Sequence, residues 1–182
     1  ILERLLALGD GPQRGTAASP SAVRAALQGA VFGRGGLGPA ATTSWLSALA
    51  RARRPHLAVE LLLAVQEAGG EINVFHYGAA ASACAKAGQW VTACNLLSVM
   101  TGARVESSAI VYGAAISACE KGDNWAAALA VLAGMPDAGV EANTITYSAA
   151  ISACEKAGQW LVALELLGSM LSSSIQANTI TY

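Results

Sequence analysis

The stretch NTITYSAAISACEKAGQWLVALELLGSM occupies Asn143–Met170, and a close copy, SAIVYGAAISACEKGDNWAAALAVLAGM, occupies Ser108–Met135. The two copies lie 35 residues apart, and NTITY, the opening of another copy, stands at Asn178–Tyr182. Self-similarity at a fixed period in this range is the mark of a stacked repeat protein. The repetition therefore predicts a chain of similar units rather than one irregular domain.

Scarce residue types follow the same period, which extends the repeat beyond the two best copies. All four tyrosines, all three methionines, all three lysines and three of the four tryptophans share one register. These residues are Tyr77, Tyr112, Tyr147, Tyr182, Met100, Met135, Met170, Lys86, Lys121, Lys156, Trp90, Trp125 and Trp160. Such residues do not fall into one register by chance, so the period reflects the architecture.

A more degenerate repeat precedes these units, and it helps to define where each repeat begins and ends. TSWLSALARARRPHLAVELLLAV, residues Thr43–Val65, aligns at the same offset, with Pro55 in place of the tryptophan. Proline is acceptable there if it opens a helix, where its missing N–H costs nothing. We expect repeats at 39–73, 74–108, 109–143 and 144–178, with the next unit starting at 179–182. Residues 1–38 are assigned to a poorly defined N-terminal segment, with a still more degenerate repeat as one interpretation.

Each repeat reads as two helices. Tyr147, Ala150, Ile151 and Cys154 stand at i, i+3, i+4 and i+7, which is one face of a helix. Gly158 can take the left-handed conformation that ends a helix. The same spacing recurs after it in Trp160, Ala163, Leu164 and Leu167. A lone helix pair cannot bury its apolar stripe, so we expect an all-α solenoid in which antiparallel helix pairs stack.

Composition bounds the class of protein. The chain has 182 residues, which is enough for one domain with a sizeable core, and its net charge is −1. No run of about 18 apolar residues predicts a membrane span. Residues 11–54 are rich in Arg, Ala, Ser and Gly and almost free of acids, which is typical of a transit peptide. A loose linker, followed by repeat from Pro39 onward, is the alternative interpretation.

The sequence contains no motif typical of a metal site or of an enzyme active site. None of the four cysteines lies in a C-x-x-C pair, and only two histidines are present. Three cysteines mark the same place in each repeat, which favours buried packing residues. We find no Gly-rich phosphate loop and no nucleophile elbow. His56 and His76 read as surface or packing residues, so no catalytic residue, metal or cofactor is expected.

At this level of detail the repeat resembles the pentatricopeptide repeat in its pure 35-residue form. The resemblance rests on Ile145-Thr146-Tyr147-Ser148, Ile151, Cys154, Lys156, Gly158, the ALELL run from Ala163 and Met170. It is strong over Val74–Tyr182 and fair over 39–73. The tetratricopeptide repeat, the nearest rival, has a period of 34 and other aromatic positions. The resemblance implies a right-handed superhelix.

The same resemblance implies single-stranded RNA as the partner, read at one base per repeat by two or three side chains. It also implies a chloroplast or mitochondrial location and a role in RNA processing, stability or translation. The implied base-reading pairs are Thr43 with Asn73, Gly78 with Ser108, Gly113 with Asn143, and Ser148 with Asn178. The implied base-flanking residues are Phe75, Ile110, Ile145 and Ile180. The implied phosphate-binding residues are Arg51, Lys86, Lys121 and Lys156.

The reading pairs differ in what they can recognise. Gly78 and Gly113 have no side chain, so two of the four pairs lose one reader. The Thr–Asn and Ser–Asn pairs resemble the adenine-reading combination of the family, which implies an A-N-N-A preference in the 5′-to-3′ direction. Asn143 leans the third base toward adenine or cytosine.

A second hypothesis is a helical-repeat scaffold that binds a protein or peptide in its groove. The near-zero net charge and the two glycines favour it, whereas one cation per repeat beside small polar residues favours RNA. We expect neither a membrane nor a small-molecule substrate as a partner.

Overall fold

The computed structural model describes residues 38–173 and residue 175, and these residues form eight α-helices without β-strands. The helices, in chain order, are α1 Pro39–Arg51, α2 Pro55–Glu67, α3 Val74–Ala87, α4 Trp90–Gly102, α5 Ala109–Lys121, α6 Trp125–Ala133, α7 Thr144–Lys156 and α8 Trp160–Ser172. The predicted all-α solenoid of helix pairs is confirmed. The expectations for residues 1–37, and those for Asn178, Ile180 and Tyr182, fall outside the described residues.

Local sequence sets where each first helix begins. Asn73, Ser108 and Asn143 immediately precede α3, α5 and α7, and the side chain of each accepts a hydrogen bond from a backbone N–H of the first turn. Such N-caps satisfy donors that the helix itself cannot pair, which is worth about 1 kcal/mol each. Pro55 is the first residue of α2, so the prediction that this proline opens a helix is confirmed.

The turn within each pair contains a left-handed residue, which in the first unit is Arg53, with a φ of 53°. Gly88 and Gly158 have φ angles of 67° and 68°, as the sequence predicted for Gly158. Asp123 occupies the matching place in the third unit and adopts a φ of 54°. Gly88 is doubly constrained, because a Cβ there would lie 3.0 Å from the carbonyl oxygen of Lys121 in the next unit.

The helix pairs stack unevenly. Successive first helices, α1, α3, α5 and α7, pack closely along the stack, whereas second helices make few contacts with one another. Buried alanines such as Ala80, Ala83 and Ala115 permit this close approach. The closer packing places the first helices on the inner side of the stack, where their exposed residues line a groove.

The core follows the repeat. Tyr77, the three methionines and three cysteines are fully buried, and Tyr112 is nearly so. The buried cysteines are Cys84, Cys119 and Cys154. Their burial agrees with the interpretation of these cysteines as packing residues. Among the described residues, no helix is long and apolar enough to cross a bilayer.

The third unit departs from the others in its second helix. Helix α6 has nine residues where its counterparts have thirteen, and a short 3-10 turn, Pro136–Ala138, follows it. Pro136 cannot continue an α-helix, because it lacks the N–H and its ring clashes with the preceding turn. The turn carries the chain to the next N-cap.

Candidate nucleic-acid interface

One strip of each first helix carries three residues that are four positions apart. In α3 these are Gly78, Ser82 and Lys86. A spacing of four aligns side chains along one helix face. Residues 113, 117 and 121 of α5 repeat the pattern with the same three residue types. Two neighbouring strips thus present matching glycines, serines and lysines to the groove.

A cavity of about 400 Å³ lies between these two strips. Seven residues that the sequence singled out line it: Gly78, Lys86, Ile110, Gly113, Lys121, Asn143 and Ile145. We call the contact between the first helices of two neighbouring repeats a joint. The structure therefore brings together, at the joint between α3 and α5, residues predicted for base reading, base flanking and phosphate binding. Ser82 and Ser117 also line the cavity, and the sequence analysis missed them. Their place one helical turn after the glycines is the signal that could have found them.

The predicted flanking residues form an exposed apolar ladder. Phe75, Ile110 and Ile145 are 73%, 74% and 69% exposed, each at the second residue of its first helix. Large apolar side chains held in solvent at a regular spacing can cover both faces of a flat ring placed between them. Ile110 and Ile145 both line the cavity between α3 and α5.

The four predicted cations are all exposed, but they differ in their partners. Arg51, Lys86 and Lys121 make no ion pair with a described residue. Lys156 donates a hydrogen bond to Oε1 of Glu120 at 2.8 Å. This bond is the main reason that the pKa of Lys156 is raised. Lys156 is thus less available to a phosphate than the sequence implied.

The asparagines have two tasks. Oδ1 of Asn73 accepts hydrogen bonds from the backbone N–H groups of Phe75 and His76, at 3.1 and 3.3 Å. Oδ1 of Asn143 accepts in the same way from the two residues of its first turn, at 3.0 and 3.1 Å. A free asparagine amide can both donate and accept toward a base. Capping occupies the oxygen, so the amide N–H groups are the donors that remain.

The other predicted reading positions are unequal. Thr43 is exposed, although its hydroxyl donates to the carbonyl oxygen of Pro39 at 2.9 Å. Ser108 is half-buried and caps α5 at 3.5 Å. Ser148 is only 8% exposed, so its side chain is largely withdrawn from the groove surface. Gly78 is half-buried and Gly113 is buried.

The histidines and cysteines lie apart from this groove. His76 is fully buried; its Nδ1 accepts from the Asn73 N–H at 3.2 Å, and its Nε2 faces the carbonyl oxygen of Pro39. A hydrogen bond between the thiols of Cys94 and Cys119 lowers the pKa of Cys94 to about 7. Within residues 38–173 and 175, no group of His, Cys, Asp and Glu is arranged to hold a metal ion.

Comparison with known proteins points to one family. The profile of the PPR repeat matches residues 145–175. A search of curated protein sequences found no match.

Solved structures share the fold of this chain. The pentatricopeptide repeat protein PPR10 from maize is 25% identical, with a TM-score of 0.69. A structure of PPR10 in complex with an 18-nt psaJ RNA element is 26% identical, with a TM-score of 0.68. Each match covers 100% of this chain and 28% of the other. The PPR domain of the Arabidopsis thaliana protein-only RNase P 1, in complex with tRNA, shares the fold at 12% identity and a TM-score of 0.60 over 75% of each chain. Residues 145–175 thus match the PPR repeat, and the chain shares the fold of solved pentatricopeptide repeat proteins.

Proposed function

We propose that this chain binds single-stranded RNA along the groove of its first helices and itself performs no chemistry. The observation that carries the proposal is the cavity between α3 and α5, which combines two cations, two apolar flanks and an amide donor. The family resemblance and the RNA-bound structures of similar proteins support it. The chain spans 28% of the PPR10 chains it matches, so more repeats in a longer protein would lengthen the site.

Each part of the cavity has a role in this proposal. A base lies between Ile110 and Ile145, whose side chains cover its two faces. Lys86 and Lys121 meet successive backbone phosphates, since a protein that neutralises phosphates gains affinity by releasing counterions. The amide of Asn143 donates to an acceptor on the edge of the base. With Gly113 as its partner, this asparagine is the single reader at that joint.

The units proposed for this reading are the four repeats at 39–73, 74–108, 109–143 and 144–178. The proposed preference stays A-N-N-A, with adenine favoured by the Thr43–Asn73 and Ser148–Asn178 pairs. The burial of Ser148 makes the Thr43–Asn73 unit the stronger adenine reader of the two. Location in a chloroplast or mitochondrion, with a role in RNA processing, stability or translation, completes the proposal by family resemblance.

A peptide-binding groove is the second candidate, and the exposed Phe75, Ile110 and Ile145 favour it. An amphipathic partner would cover such a ladder with its own apolar face. The cation on every first helix beside the ladder, arginine in α1 and lysine in the other three, weighs against it, because an apolar peptide would leave these cations unused.

Salt-dependent binding separates the two candidates. For the wild type and the K86A/K121A/K156A variant, the affinity for short single-stranded RNAs is measured against salt concentration. With slopes near −0.7 per phosphate contact, three unpaired cations predict a log–log slope of about −2, and all four predict about −3. The variant retains Arg51, so its slope should be about −0.7.

A matched control removes a cation outside the groove. Arg104 lies in the exposed connector after α4, so R104A should leave the RNA slope unchanged while K121A flattens it. Absence of RNA binding by the wild type at low salt would overturn the proposal in favour of the peptide groove.

A further inference from the structure

One joint of the groove, the contact between the first helices α5 and α7, contains an acidic side chain that the earlier described joints lack. Oε1 of Glu120 accepts hydrogen bonds from Nζ of Lys156 at 2.8 Å and from Oγ of Ser152 at 3.0 Å. Glu120 belongs to α5 and both donors belong to α7, so the carboxylate links two repeats. The Glu120 side chain is 17% exposed and that of Lys156 is 46% exposed.

The earlier joints have the same donors without the acid. Ala85 precedes Lys121 by the 36 positions that separate Glu120 from Lys156, and Ala50 stands in the same relation to Lys86. Serines occupy the place of Ser152 in both cases, at residues 82 and 117. At these matched positions the described joints therefore differ in the acidic side chain, and among the described lysines Lys156 is the one that is bonded.

Further acidic residues near Lys156 add to the difference between this lysine and the lysines of the earlier joints. Besides Glu120, Asp123 and Glu155 contribute attractive electrostatic interactions that raise the pKa of Lys156. Three acids around one cation make this end of the groove locally negative. A phosphate approaching Lys156 would have to break its bond to Glu120 and would meet repulsion from the carboxylates.

We infer that Glu120 is a specificity residue that withholds Lys156 from RNA and limits strong phosphate contact to the Lys86–Lys121 part of the groove. The inference rests on the proposed RNA-binding function. Glu120 acts through Lys156 and by repulsion, so it sets where the strand is held rather than which base is read. The RNA strand is thus bound tightly between α3 and α5 and more weakly near α7.

The test measures the salt dependence of binding to a short fluorescein-labelled oligoadenylate by anisotropy. E120Q keeps the size and hydrogen-bonding capacity of the side chain but removes its charge. It should tighten binding at low salt and steepen the log–log slope by about 0.7, the value of one further phosphate contact. In a K156A background the same substitution should steepen the slope by much less than about 0.7, because no lysine is present there to form the further phosphate contact.

Two further variants serve as comparisons for E120Q. E155Q removes an exposed carboxylate that makes no ion pair with a described residue, so it should steepen the slope by clearly less than E120Q does. A85E places a carboxylate opposite Lys121, as Glu120 lies opposite Lys156, and should flatten the slope by about 0.7. Thermal unfolding followed by circular dichroism shows whether A85E is folded; the E120Q and K156A variants decide the matter without it.

Three results would overturn the inference. If wild type binds RNA and E120Q has an unchanged slope, or binds more weakly, Glu120 does not withhold Lys156. Equal steepening by E155Q and E120Q would show that net charge alone is responsible. Failure of the wild type to bind at low salt would overturn the RNA-binding function itself, and the inference with it.

Discussion

Two ladders run through this molecule with the same period and opposite surroundings. Phe75, Ile110 and Ile145 are exposed in the groove, whereas Tyr77 and Tyr112, two positions after the first two of them, are buried. Two residues correspond to roughly 200° around a helix, so the ladders face opposite directions. A repeat thus preserves its core and its exposed face in one register, and periodicity alone cannot say which residues stabilise and which bind.

The largest effect should separate the two ladders by stability. Tyr77 is fully buried, so Tyr77→Ala should lower the free energy of unfolding by about 3–5 kcal/mol, in the range of large aromatic truncations. Ile110→Ala should change it by less than about 0.5 kcal/mol, as exposed substitutions do. Urea denaturation followed by circular dichroism measures both. Binding to oligoadenylate should weaken in the folded Ile110→Ala variant.

The tyrosine also offers its own control. Its hydroxyl makes no hydrogen bond with a described residue, so Tyr77→Phe removes a buried polar group that gains no hydrogen bond there. This variant should be at least as stable as the wild type. A loss of stability in Ile110→Ala comparable to that in Tyr77→Ala would contradict the division between the ladders.

Asn143 both caps α7 and is proposed to read a base, so substitutions there test stability and RNA binding at one position. Asn143→Ala removes a cap and an amide donor, so it should cost about 1 kcal/mol of stability and weaken RNA binding. Asn143→Ser keeps a capping oxygen and loses the amide, so stability should be retained while binding still falls. Thermal unfolding and anisotropy on the same samples separate the effects. Equal RNA binding by Asn143→Ser and wild type would restrict Asn143 to its cap.

Much of this division could be predicted from the sequence. Helix spacing predicted the buried face of α7, Pro55 predicted the start of α2, and Gly158 predicted a left-handed turn. These features depend on local rules that a single helix or turn obeys. The lining of the cavity by Lys86 and Lys121 also agrees with the family pattern, because neighbouring repeats bring equivalent positions side by side.

The interactions that modify the site were not predicted, because they depend on geometry between elements. The pair of Glu120 with Lys156 joins residues 36 positions apart, one more than the repeat, and follows from how α5 and α7 lie against each other. The capping of α7 by Oδ1 of Asn143 depends on a side-chain rotamer. The burial of Ser148 reflects packing that no repeat pattern specifies.

A smaller effect on stability should appear at the turn within the third unit. Asp123 has a φ of 54°, whereas its counterparts Gly88 and Gly158 fill the same conformation with glycine. Asp123→Gly should raise the free energy of unfolding by roughly 0.5–1 kcal/mol, because glycine has no Cβ to strain. Gly158→Ala, with open space around the added Cβ, should lower it by about the same amount. Equal stability of Asp123→Gly and wild type would show that the aspartate is unstrained.

The smallest effect concerns the one cysteine outside the repeat register. Cys94 is half-buried, and the hydrogen bond from Cys119 lowers its pKa to about 7, whereas burial raises the pKa of Cys84 to about 11. Because the thiolate is the reactive form, iodoacetamide should label Cys94 first, with a rate that rises as pH increases through about 7. In Cys119→Ala the hydrogen bond is lost, so the same rise should need a higher pH. Mass spectrometry of the labelled peptides reads both profiles. An unchanged profile in Cys119→Ala would show that the neighbouring thiol does not set the reactivity of Cys94.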